Sequence, residues 1–224
     1  MKKYSAIFFC LFASCISTAQ DKDKQLQDID AALSSQKKSI SNVLSDNNYL
    51  SLHSLTNFRE IIKKYAKAEK VTMVTANEPG KKITVQGIVK TKAGEPISGA
   101  LIYVYQTSDK GLYADTSAHV NMNSGDMNHA RLFAYFKTNE KGIFEFETIQ
   151  PQGYPNSDLP AHIHIMVWKE GRVIHNLPGE LLFDDDERLT SERRKRSLED
   201  GYIIAADSGP VGKPLYAYTL IAGN

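Results

Sequence analysis

Residues 158–168 read DLPAHIHIMVW, in which two histidines interrupt an otherwise apolar run. The alternation after Pro160 is typical of a β-strand, whose successive side chains leave on opposite faces. His162 and His164 are therefore predicted to share one face of the strand, while Ile163 faces the other way. Two imidazoles on one face can bind a single metal ion, but they also suit a polar patch on a half-exposed sheet.

The same two-residue period recurs along the chain from residue 82 onward. It is seen at 83–89, 100–106, 131–136, 143–149, 162–168 and 215–222, with turn-forming residues between several of these segments. In one of them, Phe144 and Phe146 alternate with glutamates, as in a sheet that has one face in water. Short strands at this spacing, most of them without intervening helices, predict a mainly β fold, an antiparallel β-sandwich.

The N-terminal part of the chain has a helical period instead. Leu26 and Ile29 begin an apolar stripe, and a second stripe follows a polar break at 46–48. We therefore expect a short helical extension over residues 20–75, ahead of the β-sandwich at 76–224. The stripes suit packing on the main domain or an arm that forms a homodimer, and the repeat is too short to predict a coiled coil.

Residues 1–19 have the pattern of a secretory signal peptide, with a basic start, an apolar stretch and small residues ending at Ala19. We expect cleavage after Ala19 and export to the periplasm or the extracellular space. Residues 11–15 also resemble a lipoprotein box, in which Cys15 would be lipidated and would tie the protein to a membrane. Cleavage after Ala19 would remove both cysteines, Cys10 and Cys15, so the mature chain would have no thiolate ligand.

Charge gives no support for a nucleic-acid partner. The chain has 27 lysines and arginines against 26 aspartates and glutamates, which leaves a formal net charge of +1. A chain so balanced has no basic field to attract a phosphate backbone. The basic run ERRKR at 192–196 is interpreted as the solvated face of a short helix.

A metal site without thiolates needs oxygen ligands from carboxylates or phenols. Tyr154 stands eight residues before His162, and Tyr113 follows the strand-like segment 100–106 within a turn. Phenolate is a hard, anionic donor, and two phenolates would favour Fe(III) over Fe(II). Taken singly, either tyrosine is more typical of a packing residue.

Three longer stretches resemble the intradiol ring-cleavage dioxygenases, the family that includes protocatechuate 3,4-dioxygenase and catechol 1,2-dioxygenase. They are GIVKTKAGEPISGALIYVYQTSDKGLY (87–113), TNEKGIFEFETIQPQGYP (138–155) and PAHIH (160–164). The resemblance covers residues 83 to about 187 and implies a β-sandwich with one non-haem Fe(III) per chain. It implies that four side chains hold the iron: Tyr113, Tyr154, His162 and His164.

The resemblance also implies the reaction and the small-molecule partners. A catechol would bind the iron through both oxygens and react with O2. Insertion of oxygen between the two hydroxylated ring carbons would give an anhydride, and its hydrolysis a cis,cis-muconate. By position, Tyr154 would be the tyrosine that leaves the iron when the substrate arrives. Its phenolate would then act as a base.

Two positions depart from the family's pattern. Leu159 stands directly before the Pro-Ala-His-Ile-His motif, where members commonly have an arginine that stabilises negative charge on the substrate. Arg131 and Arg172 are candidates to replace that cation. Glu180 lies where the family often has glutamine. These differences leave the aromatic substrate undefined.

Two other interpretations use the same parts of the chain. Residues 87–107 and 138–146 also resemble carboxypeptidase-regulatory-like, transthyretin-type β-sandwiches, which are secreted modules that bind rather than catalyse. Such a module gives no reason for two tyrosines and two histidines to converge. Residues 119–129 hold two histidines and two methionines, a mixture that suits Cu(I) or a loop beside the iron pocket.

Overall fold

The computed structural model describes residues 7–114, 130–176 and 179–222, with side chains from Gln20 onward. The helices are α1 (Ile7–Ser34), α2 (Ile40–Leu44), a 3-10 helix (Asn47–Leu52), α3 (Thr56–Lys64) and α4 (Ser191–Glu199). The strands are β1 (Val71–Thr72), β2 (Lys82–Lys90), β3 (Leu101–Gln106), β4 (Leu132–Lys137), β5 (Ile143–Ile149), β6 (His162–Lys169), β7 (Arg172–His175), β8 (Leu181–Phe183), β9 (Ile203–Ala205) and β10 (Leu215–Ile221).

The N-terminal helices pack on one another and on the strands. Ile29 of α1 and Phe58 of α3 are buried, and Lys64 Nζ lies 2.8 Å from Asp30 Oδ1, which joins α3 to α1. Phe58 also meets Phe133 of β4 edge-on, with 6.2 Å between ring centroids. In the described part of the chain no helix is both long and apolar enough to cross a membrane. The helical stripes instead join the same core as the strands.

In the described ranges, the strands form two sheets. One has the strand order β1-β5-β2-β10, and the other follows β4-β3-β6-β8-β9, with β7 paired to β6. The mainly β prediction is confirmed, but the sheets are mixed rather than purely antiparallel. The pairs β1–β5, β2–β10 and β8–β9 run parallel. Parallel neighbours need a long crossover connection, and α4 lies in the crossover between β8 and β9.

The two sheets meet through aromatic side chains. Phe136 of β4 lies 5.6 Å from both Phe144 and Phe146 of β5, measured between ring centroids. Burial of these two phenylalanines confirms the alternation predicted for 143–149. Gly87 of β2 is opposite Phe144, and a Cβ at Gly87 would lie 2.2 Å from the ring. The close approach of the ring to the backbone therefore requires glycine.

Strand β6 lies inside the six-stranded sheet and carries the two histidines. Strand β3 pairs with it antiparallel, with Tyr105 opposite His164. Ile163 and Ile165 are fully buried and point away from the histidines, because successive strand residues alternate in direction. The expected shared face of His162 and His164 agrees with this arrangement.

Candidate metal centre

Four side chains from three separate segments meet near the start of β6. Tyr113 Oη lies 2.6 Å from Tyr154 Oη and 2.7 Å from His164 Nε2. Tyr154 Oη lies 3.1 Å from His162 Nε2. Tyr113 and His164 are buried, whereas Tyr154 and His162 are half-buried. All four side chains singled out in the sequence therefore lie together, with both phenol oxygens facing imidazole nitrogens.

Hydrogen bonds between two loops bring the tyrosines together. Directly after β3, Thr107 Oγ1 donates to Gln152 O at 2.6 Å. The amide of Gln152 donates in turn to Ser108 O at 3.1 Å. The turn that leads to Tyr113 is thus joined to the loop that leads to Tyr154.

The same two loops also pack closely against each other at Gly111 and Gly153. A Cβ at Gly111 would lie 2.3 Å from Gly153 O, so a larger residue would push the loops apart. Gly111 also has a φ of +72°, a backbone conformation that favours glycine. Close packing of the two loops at this point depends on the absence of a side chain.

Both histidines present Nε2 to the tyrosines, and an oxygen atom lies beside each Nδ1. His162 Nδ1 lies 2.8 Å from Pro160 O, and a carbonyl only accepts, so Nδ1 carries the proton. His164 Nδ1 lies 3.3 Å from Glu180 Oε1, a charge contact that does not have the geometry of a hydrogen bond. Burial, with the neighbouring His164, lowers the pKa of His162 to about 4. Its Nε2 therefore keeps a lone pair at neutral pH.

The carboxyl of Glu180 is an anion in this setting. Burial by itself would raise its pKa, but the adjacent His164 ring and the backbone N–H of Gly179 outweigh burial and lower the pKa to about 2. A negative charge therefore lies directly behind His164 at neutral pH.

The cluster has fewer protons than short contacts. If His164 Nδ1 carries its proton towards Glu180, as His162 Nδ1 does towards Pro160, the contacts Tyr113–Tyr154, Tyr113–His164 and Tyr154–His162 share only the two phenol protons. One contact then sets lone pair against lone pair, and a cation in place of the protons would relieve it. Two phenol oxygens with two imidazole nitrogens form a donor set that fits Fe(III), because phenolate oxygen is hard and anionic.

The phenols themselves need such a cation to ionise. Burial and the neighbouring phenol raise the pKa of Tyr113, and burial raises the pKa of Tyr154. A bound cation inverts this effect and stabilises the phenolates. Within the ranges that the structure describes, no group of three or more His, Cys, Asp or Glu is arranged to hold a metal ion. A metal at this place would therefore depend on the tyrosines.

A cavity of about 400 Å³ opens beside the cluster, and its wall includes Tyr154, His162 and His164. Leu159, Pro160 and Leu182 form an apolar part of the wall. Helix α4 contributes two arginines, Arg193 and Arg196. The basic run at 192–196, interpreted from the sequence as a solvated face, therefore also borders the cavity.

A family model described as Dioxygenase matches residues 58–212, more than two thirds of the chain. The chain belongs to the intradiol ring-cleavage dioxygenase family. The matched region includes the four clustered side chains and Glu180. The family resemblance read from the sequence is thereby confirmed.

The curated proteins that match this chain have low sequence identity to it. A chlorocatechol 1,2-dioxygenase of Rhodococcus opacus is 29% identical over 134 residues, which cover 52% of this chain and 49% of that protein. A catechol 1,2-dioxygenase of Acinetobacter lwoffii is 24% identical over 140 residues, which cover 53% and 43%. The chain thus spans about half the length of the curated relatives it matches.

Solved structures show the same fold. An intradiol ring-cleavage dioxygenase of Tetranychus urticae superposes with a TM-score of 0.53 at 20% identity. The superposition covers 70% of this chain and 87% of that one. At 20% identity, this similarity establishes the fold of the present chain but not its substrate or mechanism.

Neither arginine proposed to replace the family's cation belongs to the cavity wall. Both Nη atoms of Arg131 donate to Glu78, at 2.8 and 2.7 Å. Arg172 is exposed on β7. Leu159 itself lines the cavity and is 49% exposed. The expectation for Arg131 and Arg172 is therefore corrected, and the cations on the described wall come from α4.

Helix α4 is tied to the loop that leads into His162. Arg193 Nη2 lies 2.6 Å from Asp158 Oδ2, and its Nη1 donates to Arg188 O at 2.9 Å. Arg196 instead pairs with Glu192 on the exposed side of the helix. Sequence reasoning missed this wall because α4 and the loop are 35 residues apart and no motif links them.

The copper interpretation of residues 119–129 falls outside the described residues. Segment 115–129 separates Tyr113 from β4 in the chain. The iron interpretation does not depend on it, because all four clustered side chains lie in described segments.

Proposed function

We propose that this protein binds one Fe(III) per chain through Tyr113, Tyr154, His162 and His164 and uses it to cleave a catechol with O2. The ring would open between its two hydroxylated carbons, giving a cis,cis-muconate. Family membership supports the reaction class. The observation that carries the proposal is the 2.6 Å approach of two phenol oxygens, each of which also faces an imidazole Nε2.

Bound in this cluster, Fe(III) would act as a Lewis acid and template that holds the catechol by its two oxygens. The protein's part is to hold four donors in place before the metal arrives, since the donors are already oriented by loop contacts and by the partners of each Nδ1. Preorganised donors need no rearrangement when the metal binds.

Of the two tyrosines, Tyr154 would be the one that can exchange with substrate and take a proton. It lines the cavity together with both histidines, whereas Tyr113 is 3% exposed. Burial raises the pKa of Tyr154, so its Oη, once freed, is a strong base for a catechol hydroxyl. Tyr113 would remain as the fixed phenolate.

The cavity suits one small aromatic ring rather than a large ligand. Its volume of about 400 Å³ lies near the lower end of the range for small-molecule sites. Pro160 and Leu182 offer apolar contacts for the ring face, and the arginines of α4 lie on the same wall. A catechol with a small polar substituent matches this lining.

The test is turnover by iron-loaded protein. Oxygen uptake would be followed with catechol, protocatechuate and hydroxyquinol, and the products would be identified by mass spectrometry. A ring-opened muconate supports the proposal. If the protein takes up Fe(III) but consumes no O2 with any catechol, the proposed ring-cleavage activity is contradicted. A protein that binds no iron favours the non-catalytic, transthyretin-type module.

A further inference from the structure

Glu180 lies across from His164 because of the way β8 pairs with β6. The register matches Ile163 with Leu181, and Glu180, directly before β8, continues this alignment towards His164. Both side chains are buried, at 7% and 6% exposure, and Glu180 Oε1 lies 3.3 Å from His164 Nδ1. The contact therefore depends on how β8 pairs with β6.

The carboxylate is held on its other side by the backbone. Glu180 Oε2 accepts the N–H of Gly179 at 2.9 Å, and His175 Nε2 donates to Gly179 O at 3.1 Å. A Cβ at Gly179 would lie 2.4 Å from the His175 ring, so this stretch of chain is closely packed. One carboxylate oxygen is thus anchored and the other is directed at His164.

His164 has a second neighbour that restricts its ring. Tyr105 stacks on the imidazole, with 4.3 Å between centroids and an angle of 9° between the planes. Between Tyr105 and Glu180, the ring presents Nε2 to Tyr113 Oη at 2.7 Å. His162 has a neutral carbonyl, Pro160 O, at its Nδ1, so the two histidines differ in the charge behind them.

Resting on the iron site proposed above, we propose that Glu180 is a positioning residue that holds the Nδ1–H of His164 and makes its Nε2 a stronger donor to Fe(III). A carboxylate behind a ligand histidine fixes the tautomer of the ring and raises its basicity. Its charge in a buried site also favours trivalent over divalent iron, because Coulomb attraction grows with the charge of the ion.

The first test removes the negative charge of Glu180 and keeps the size and shape of its side chain. Glu180→Gln should raise the dissociation constant for Fe(III) about tenfold, at the lower end of what loss of such a partner costs. It should also move the visible phenolate-to-Fe(III) absorption to longer wavelength, because the iron becomes poorer in electrons. Asp200→Asn is the matched control, since it removes a carboxyl from the same cavity wall without touching His164. An iron affinity within twofold of wild type, with an unmoved band, overturns the proposal.

The second test needs neither a variant nor a metal. Long-range 1H–15N correlation spectra of the metal-free protein report which nitrogen of His164 carries the proton. The Nδ1–H tautomer is expected, and a ring protonated only at Nε2 overturns the role of Glu180 whatever the variant does.

The two proposals fail in different ways. Wild-type protein without Fe(III) uptake contradicts the iron site, while the tautomer measurement still decides whether Glu180 orients His164. Loaded wild-type protein with an unaffected Glu180→Gln variant contradicts the positioning role alone.

Discussion

The hydroxyl oxygens of Tyr113 and Tyr154 lie 2.6 Å apart, although 41 residues separate them along the chain. Their surroundings differ, because Tyr113 is buried and Tyr154 lines the cavity. Two phenols that meet at one point from unlike environments are expected to have unlike roles. The buried one would remain as a fixed donor, and the one at the cavity would exchange with substrate.

Replacing each tyrosine should therefore give different defects. Tyr113→Phe removes the buried donor and is expected to leave the purified protein largely without iron. Tyr154→Phe should retain iron on the remaining donors but lose turnover by roughly 10²- to 10⁴-fold, the usual contribution of a positioned base. Iron content and initial rates of O2 uptake measure the two effects. Tyr49→Phe, in the N-terminal 3-10 helix, is the control, and equal defects in Tyr113→Phe and Tyr154→Phe would contradict the division of roles.

Gly111 should be sensitive to the smallest enlargement. Gly111→Ala places a Cβ 2.3 Å from Gly153 O at a φ of +72°. Gly94→Ala is a matched control, because Gly94 has a φ of +86° but a Cβ there meets nothing within 4 Å. Backbone strain alone costs about 1–3 kcal/mol in either variant. Denaturant unfolding should show a larger loss for Gly111→Ala, together with weaker iron binding that Gly94→Ala lacks.

Strands with a clear period were predictable from the sequence, and very short ones were not. In β5, Phe144 and Phe146 alternate with glutamates over seven residues, which is enough for a period of two to be recognised. Strands β8 and β9 have three residues each, too few to show any period. The parallel pairing of β10 with β2 depends on a crossover through most of the domain, which no local pattern encodes.

The residues of the candidate site also differ in how far the sequence could predict them. His162 and His164 were predictable from strand alternation, whereas Tyr113 and Tyr154 were only candidate oxygen ligands until the family resemblance assigned them to the iron. Glu180 was noticed only as a departure from that family. Its contact with His164 arises from the register between β8 and β6, which periodicity does not determine.

His53 should make the stability of the metal-free protein depend on pH. This buried side chain has a pKa lowered from 6.5 to about 4, chiefly by burial. The unfolded chain takes up the proton first as pH falls, so stability is full above pH 6.5 and declines towards pH 4. The loss attributable to one such group is at most about 3 kcal/mol.

Replacing His53 separates its contribution to the pH dependence of stability from those of other titratable groups. His53→Asn should flatten the decline between pH 6.5 and 4 in urea unfolding, although His162, with a pKa also near 4, keeps part of it. A variant whose free energy of unfolding falls as steeply as that of wild type would contradict the assignment.

Cleavage after Ala19 should leave the folded core intact. Residues 20–24 are exposed, and in the described part of α1 the buried side chains are Leu26, Ile29 and Leu33. We therefore expect the exported protein to begin at Gln20, as intact-mass measurement would show. Cys15→Ser should change neither its mass nor its location. A lipid-bearing N-terminus in the membrane fraction that Cys15→Ser abolishes would identify the lipoprotein alternative instead.

The two arginines of α4 that line the cavity should differ in importance. Arg193 bonds to Asp158 and to the backbone at Arg188, so Arg193→Ala frees the loop before His162. The KM for catechol should then rise roughly threefold to tenfold, which corresponds to about 0.7–1.4 kcal/mol, the usual net contribution of one hydrogen bond. Arg196 pairs with Glu192 while both side chains are more than 70% exposed, and exposed pairs contribute little. Steady-state kinetics of Arg196→Ala should match wild type, and a larger KM effect there than in Arg193→Ala would mean that Arg196 contacts the substrate directly.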